Sequence, residues 1–319
     1  MLLLKRSEIA ALVDLDEAAV AVERAYRTTS QGKVNLPPVG HIAFPERKAD
    51  CHIKYGHVAG DEVFVIKVAT GFPQNRIEGL SGSNGLSLVM SAENGEVLAV
   101  LHDEMLLTDI RTGIGGAVAS RLLCRPEARH ILIAGTGTQT AYQVEAHAAL
   151  LGPAVEFAIW GRSAERAQAI EKAMSDRFQV RSTSSLAEAC EAADIIVTAT
   201  AAQTSFVERD WIKPGTHITA VGADAPGKQE LSSDLIAAAD RLFADKKAQC
   251  LDHGEFSVPF SQGFIAAEQV AELGTVLSGV EPGRKSDTEI TIADLTGLAA
   301  QDIAMAKLVM QAHAAKTKA

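Results

Sequence analysis

Aromatic residues are scarce in this chain, at 5% of 319 positions, with two tryptophans and three tyrosines. So few rings argue against an aromatic-rich β-sandwich, and plentiful alanine favours helices packed on a sheet. Cysteine is scarcer still. Cys51, Cys124, Cys190 and Cys250 stand far apart with no C-x-x-C pair, so no disulfide framework is expected and the thiols read as free in a reducing compartment. No apolar stretch reaches membrane-spanning length, and Leu2-Leu3-Leu4 is cut short by Lys5-Arg6, which argues against a signal peptide and a membrane partner. Basic charge is lacking too. With 30 Lys and Arg against 40 Asp and Glu, a net charge of −10 leaves no general counterion-displacing face for nucleic acid. The expectation is a cytoplasmic protein whose ligand is a small molecule.

The residues that are present fall into two patterns. Ser7 is expected to cap a short first helix, and Asp14 or Asp16 a second that runs through Ala18, Val22 and Tyr26 to a stop at Gly32. Short strand-like runs follow at 52–55, 63–68, 87–90 and 97–100, with Asn94-Gly95 as a hairpin turn between the last two. This stretch reads as an α+β module. A helix over 108–123 leads out of it. From 130 onward strands and helices alternate, with strands at 130–134, 155–160, 180–181, 194–200, 217–222 and 242–244 and helices at 141–151, 163–178, 185–192 and from 234. Such alternation predicts an α/β fold of Rossmann type, a doubly wound parallel sheet with helices on both faces. The almost unbroken apolar run at 194–200 suits a strand covered on both sides. An alanine-rich helix over 298–315 ends the pattern. The length allows each module its own core, and the expected division is 1–120 with 297–319, and 121–296.

Gly135-Thr136-Gly137-Thr138-Gln139-Thr140 lies between the strand at 130–134 and its helix. Two glycines there let the backbone turn sharply and approach a pyrophosphate, with the helix N-terminus facing the anion. Thr140 replaces the third glycine of the usual fingerprint. Alone, the turn reads equally as an ordinary tight turn; the surrounding sheet is what points to a dinucleotide. Ligands of such sheets lie beyond the carboxyl ends of the strands, which brings in Thr198, Ala199 and Thr200, and the turn from Val221 and Gly222 to Gly227. Asp224 is the acid of that turn. It reads as a group beside a nicotinamide or, equally, as an Asx residue that organises the turn. The second strand ends at Trp160-Gly161-Arg162-Ser163 without an acid for the ribose hydroxyls, and Arg162 and Ser163 would suit a 2′-phosphate, so NAD(H) and NADP(H) both stay open.

Three further places could carry chemistry. Lys67 interrupts an apolar run, which is costly unless the lysine is paired or functional, although alternation could turn it to solvent. Arg111 at a helix start offers a planar fork for a carboxylate; the plain alternative is a surface salt bridge to Asp109 or Glu104. His41, His52 and Lys54 fall in one segment. No carboxylate partner is expected with them, the spacing repeats no familiar ligand set, and no metal is expected.

With these residues in view, the chain resembles the ornithine cyclodeaminase/mu-crystallin family over nearly its whole length. The carriers are Lys67 with Asn75-x-x-x-Gly79-Leu80, Leu107-Thr108-x-x-Arg111-Thr112, Gly135-Thr136-Gly137-Thr138-Gln139, Thr198-Ala199-Thr200, and Val221-Gly222-Ala223-Asp224-Ala225-Pro226-Gly227-Lys228-x-Glu230-Leu231. The resemblance implies that Lys67 and Arg111 contact a substrate carboxylate and that Asp224 is the acid/base, with Lys67 the other candidate for the proton. It implies an NAD(H) site that includes Thr112, with Arg162 stacking on adenine, and a homodimer formed through the α+β domain. Two departures stand out. Many members carry an arginine after a proline in the early loop, where Pro37-Pro38-Val39-Gly40-His41 has none, and many show Met-Pro where this chain has His52-Ile53-Lys54. That exchange suits a substrate with a second carboxylate. Within the family the chain is most similar to reductases that make aspartate from iminosuccinate. The implied activity is that of an oxidoreductase acting on a small anionic imino or amino acid. The alternatives are redox-neutral cyclodeamination of ornithine, another 2-imino acid reductase or alanine dehydrogenase, and a mu-crystallin-like binding protein.

Overall fold

Period-two side-chain alternation builds the first of two sheets. The computed structural model describes residues 1–318, the side chains of Arg76 and Lys318 excepted, and divides into one unit of residues 1–111 with the segment from Leu298, and another of Thr112–Gly297. The first boundary falls inside the helix Leu106–Leu123. The first unit holds β1 (Leu2–Lys5), β2 (Val34–Asn35), β3 (Gly40–Phe44), β4 (Ala49–Val58), β5 (Val63–Gly71), β6 (Ser83–Ser91) and β7 (Val97–His102). Their order is β1-β7-β6-β5-β4-β2, with β3 also paired to β4. All pairs are antiparallel except β1 on β7. The leucines at the start of the chain thus form an edge strand.

One face of this sheet buries Val65, Val89, Ala99 and Leu101, together with the polar Lys67 and Ser87. The helix Ala299–Lys318 packs on β4, β5 and the helix Leu15–Ser30. Asp14 caps that last helix, accepting hydrogen bonds from the amides of Asp16 and Glu17 at 3.0 Å. Ser7 lies inside the first short helix, Arg6–Ala10, and the N-cap position falls to Lys5, whose amide donates to Glu8. By register, the opposite face of the sheet presents Leu3, Tyr55, Phe64, Ile66, Leu86, Leu88 and Val100, all at least partly exposed.

The second unit is a parallel sheet of β8 (His130–Ala134), β9 (Glu156–Trp160), β10 (Gln179–Ser182), β11 (Ile195–Thr198), β12 (His217–Ala220), β13 (Arg241–Ala244), β14 (Val270–Glu272) and β15 (Thr291–Asp294). The order is β10-β9-β8-β11-β12-β15-β13-β14. Strand order reverses between β8 and β11, which leaves a crevice beyond their carboxyl ends. Every residue of β11 and β12 is buried, as in a sheet covered on both faces. Gly113 and Gly116 on the helix Leu106–Leu123 let it approach the helix Thr138–Leu151: a Cβ on Gly113 would stand 2.5 Å from the carbonyl oxygen of Tyr142, and one on Gly116 would meet the Gln143 amide. Gln143 also donates to the carbonyl of Thr112.

Candidate active site

In the second unit the glycine turn has the shape a pyrophosphate needs. Gly135 presses against the next crossover, since a Cβ there would lie 2.6 Å from the carbonyl oxygen of Ala199. Gly137 faces open space and precedes a helix that starts at Thr138, three residues before the expected 141, with no side chain capping its amides. A helix start without a side-chain cap, facing that space, fits an anion. Thr140 is buried in the first turn and donates to the carbonyl of Gly135 at 3.0 Å, closing the loop where a third glycine would stand. Gln139 shares that first turn.

At the tip of β9, Ser163 caps the helix Ala164–Met174 and donates to Glu165 at 2.8 Å. Its hydroxyl therefore serves the helix, and Glu165 adds a carboxylate beside it. That carboxyl is held below its usual range chiefly by the Ser163 hydrogen bond. Its negative charge opposes a 2′-phosphate, although Trp160-Gly161-Arg162-Ser163 itself holds no acid. Arg162 is exposed beside Ser163.

Glu230 joins the other two loops. It is fully buried and accepts from the Thr198 hydroxyl, the Thr200 amide and the Thr200 hydroxyl, each at 2.7 Å, and from the Gly222 amide at 3.0 Å. Gly222 must be glycine, because a Cβ would collide with the Thr200 carbonyl and the Glu230 carboxylate. Glu230 is seated in turn by Glu255, which accepts from the amides of Glu230 and Leu231 at 2.9 and 2.6 Å. Burial pushes both carboxyls up, Glu255 well above its usual value. On the loop they fix, Asp224 is exposed and pairs with Lys228 at 2.5 Å. The Asx-turn reading gives way to a carboxylate that faces outward.

In the first unit Lys67 is buried, not turned to solvent, and donates to Asp302 at 2.8 Å and to the Thr108 hydroxyl at 3.2 Å. Arg111 is buried as well. Its Nε lies 3.4 Å from the same Asp302 oxygen, and it donates to Gln301, so the surface pairing with Asp109 or Glu104 is replaced by a buried one. Thr108 and Arg111 lie three apart on one helix face, and Asp103 accepts from the Leu107 amide at that helix's start. Burial brings Lys67 down to about 8, helped by Arg111 and Lys54 and opposed by Asp302. Asp302 itself is held below its usual value by Lys67, Arg111 and Lys54 against the opposing effect of burial.

Lys54 stands directly opposite Lys67 across β4 and β5. His52, two positions before it, shares that face and faces His41 across β3 and β4. Asp50 joins them, 3.4 Å from His52, which corrects the expectation that these histidines lack a carboxylate partner. Asp302, Asp50 and Glu230 were the residues hardest to assign from the chain alone. The available signal was an isolated acid in an apolar helix for Asp302, a period-two offset from His52 for Asp50, and for Glu230 its place in a family motif.

A crevice at a strand-order reversal, an uncapped helix N-terminus behind Gly-x-Gly and a separate cationic sheet face define an α/β protein of dinucleotide-binding type. The chain belongs to the ornithine cyclodeaminase/mu-crystallin family, which matches residues 1–317. Three solved relatives superpose throughout. An archaeal alanine dehydrogenase dimer with bound NAD is 34% identical with a TM-score of 0.91, covering 99% of this chain and 97% of that one. The iminosuccinate reductase of Paracoccus denitrificans in complex with NAD+ is 30% identical at 0.91, with the same coverage. The Δ1-pyrroline-2-carboxylate reductase of Thermococcus litoralis with NADH and L-proline is 28% identical at 0.92, covering 99% and 98%. No helix among the described residues is long and apolar enough to cross a membrane.

Proposed function

We propose that this protein is an imine reductase that makes an amino acid with NAD(H), and that its reaction is iminosuccinate to L-aspartate. It is an oxidoreductase acting on CH–NH or CH–NH2 groups, as its relatives are. One observation carries the choice of substrate. Lys54, Lys67 and Arg111 bring three cations to one neighbourhood, where the buried acids Asp302 and Asp103 stand beside them. A cluster in which cations outnumber acids suits a substrate with two carboxylates.

Bound NADH supplies the hydride that reduces the carbon–nitrogen double bond. Lys67 and Arg111 hold the carboxylate next to the reacting carbon, while Lys54 and His52, with His41 behind it, receive the distal one. The Asp224 carboxyl gives the proton to the nitrogen; it stands exposed on a loop anchored by Glu230, with Lys228 as its partner. The backbone of Gly135 and Gly137 and the helix start at Thr138 and Gln139 hold the pyrophosphate. Thr112, Thr198 to Thr200, and Val221 with Gly222 line the rest of the cofactor site. A second copy of the chain covers the open apolar face of the first unit's sheet, as the dimeric state of the alanine dehydrogenase relative supports.

The test is loss of reduced-nicotinamide absorbance with oxaloacetate plus ammonium as the source of the imine. Net consumption of NADH is expected, with NADPH slower. Turnover of ornithine without net change in the nicotinamide would instead establish cyclodeamination and overturn the proposal.

A further inference from the structure

We propose that His41, Asp50 and His52 form a binding site for a divalent transition-metal ion of the zinc class, on the face of the first unit's sheet that carries Lys54 and Lys67. Strand register assembles it. His41 lies directly opposite His52 in the antiparallel pair of β3 and β4, and Asp50 precedes His52 by two positions, so all three side chains share one face. The imidazole centroids are 4.8 Å apart and the rings are tilted by 59°. One ligand atom from each residue lies within 4.8 Å of the other two.

His52 Nε2 and Asp50 Oδ2 are 3.4 Å apart. Two ligands of one tetrahedral ion stand at about that separation when each bond is about 2.0–2.1 Å long. Rotation of exposed or half-buried side chains closes the other gaps. Two imidazoles and one carboxylate suit Zn2+, Co2+ or Ni2+, whereas Mg2+ and Ca2+ take oxygen shells. Cys51 is sent to the opposite face by the same alternation and is buried there, so it is not a ligand. Exposure of His41 gives an ion its entry path and leaves positions for water or a substrate oxygen.

Loading the site needs neither cofactor nor substrate; His41 and His52 are also the groups proposed to receive the distal carboxylate, which a bound ion would then ligate. The test of loading is therefore independent of the imine-reductase reading: calorimetric titration of the chelator-treated, full-length protein with ZnCl2, and the visible spectrum of its Co2+ form. One ion per chain is expected, lost in His41→Ala and in His52→Ala and weakened more than about tenfold in Asp50→Asn, with NADH affinity unchanged in all three. The wild-type Co2+ spectrum decides the donor set without any variant, and it should show nitrogen and oxygen ligation with no thiolate charge-transfer band. Failure to take up Zn2+, undiminished affinity in the histidine variants, or a thiolate band would each overturn the site.

Discussion

In the first unit, Lys67 and Arg111 are buried against the carboxylate of Asp302; in the second, Glu230, Glu255, Asp245 and Asp294 are buried against backbone amides, hydroxyls and a thiol. Both arrangements place charge-bearing groups out of water, which is costly unless every group finds a partner. They differ in what is left over. Lys54, Lys67 and Arg111 outnumber the acids Asp302 and Asp103 beside them, so positive charge remains for a ligand. Glu230 already accepts four hydrogen bonds, and its role is to fix the loops around it. Buried ionisable groups in this molecule therefore mark a receiving site where cations outnumber acids and a scaffold where, as at Glu230, the oxygens are fully hydrogen-bonded.

The largest break in that comparison comes from the two carboxylates of one loop region, exposed Asp224 and buried Glu230. Asp224→Asn should lower kcat by about 10²–10⁴-fold, the range for losing a general acid or base, with NADH affinity nearly intact by fluorescence titration; unchanged turnover would remove it from the chemistry. Glu230→Gln should behave differently. An amide has one accepting end, so at least one of the Thr200 and Gly222 amides loses its partner, at about 1–3 kcal/mol. Melting temperature and NADH affinity should both fall, while the pH dependence of kcat/KM keeps its shape.

A smaller effect sharpens the other side. Lys67 must be charged to hold a carboxylate and lies at about 8, so kcat/KM should fall as pH rises through that value, because above it the ammonium loses its proton. Asp302 is what opposes burial and the repulsion from Arg111 and Lys54. In Asp302→Asn the alkaline limb should move to lower pH, by about one unit for each 1.4 kcal/mol of lost attraction. A limb that stays in place would show that Lys67 is not the group being titrated.

Much of the fold was legible because its signals are local. The strand, glycine turn and helix at 130–151 and the alternation after it are set by neighbours in sequence, and they fixed the sheet in which Thr140 could close a loop. Lys67 was legible as a problem, a cation in an apolar strand, but its solution was not. Asp302 lies 235 positions away, and pairing at that distance leaves no periodic trace. Asp50 escaped for a different reason: β3 was not recognised as a strand, so the register that sets His41 beside His52 was invisible. The short helices Lys247–His253, Ser257–Ser261 and Leu273–Leu277 have too few turns for a period, and β1 is an apolar run too short to declare itself a strand.

The central claim is that the charge left over on the first unit's sheet selects a dicarboxylate imine. The most direct measurement is the ratio of kcat/KM for imines formed from oxaloacetate and from pyruvate, in the wild type and in Lys54→Met. The account predicts a wild-type ratio above about ten that collapses towards one in the variant, since a charge-assisted hydrogen bond contributes about 1.5–3 kcal/mol. A wild type that prefers the pyruvate imine, or a ratio that Lys54→Met leaves unchanged, would contradict it.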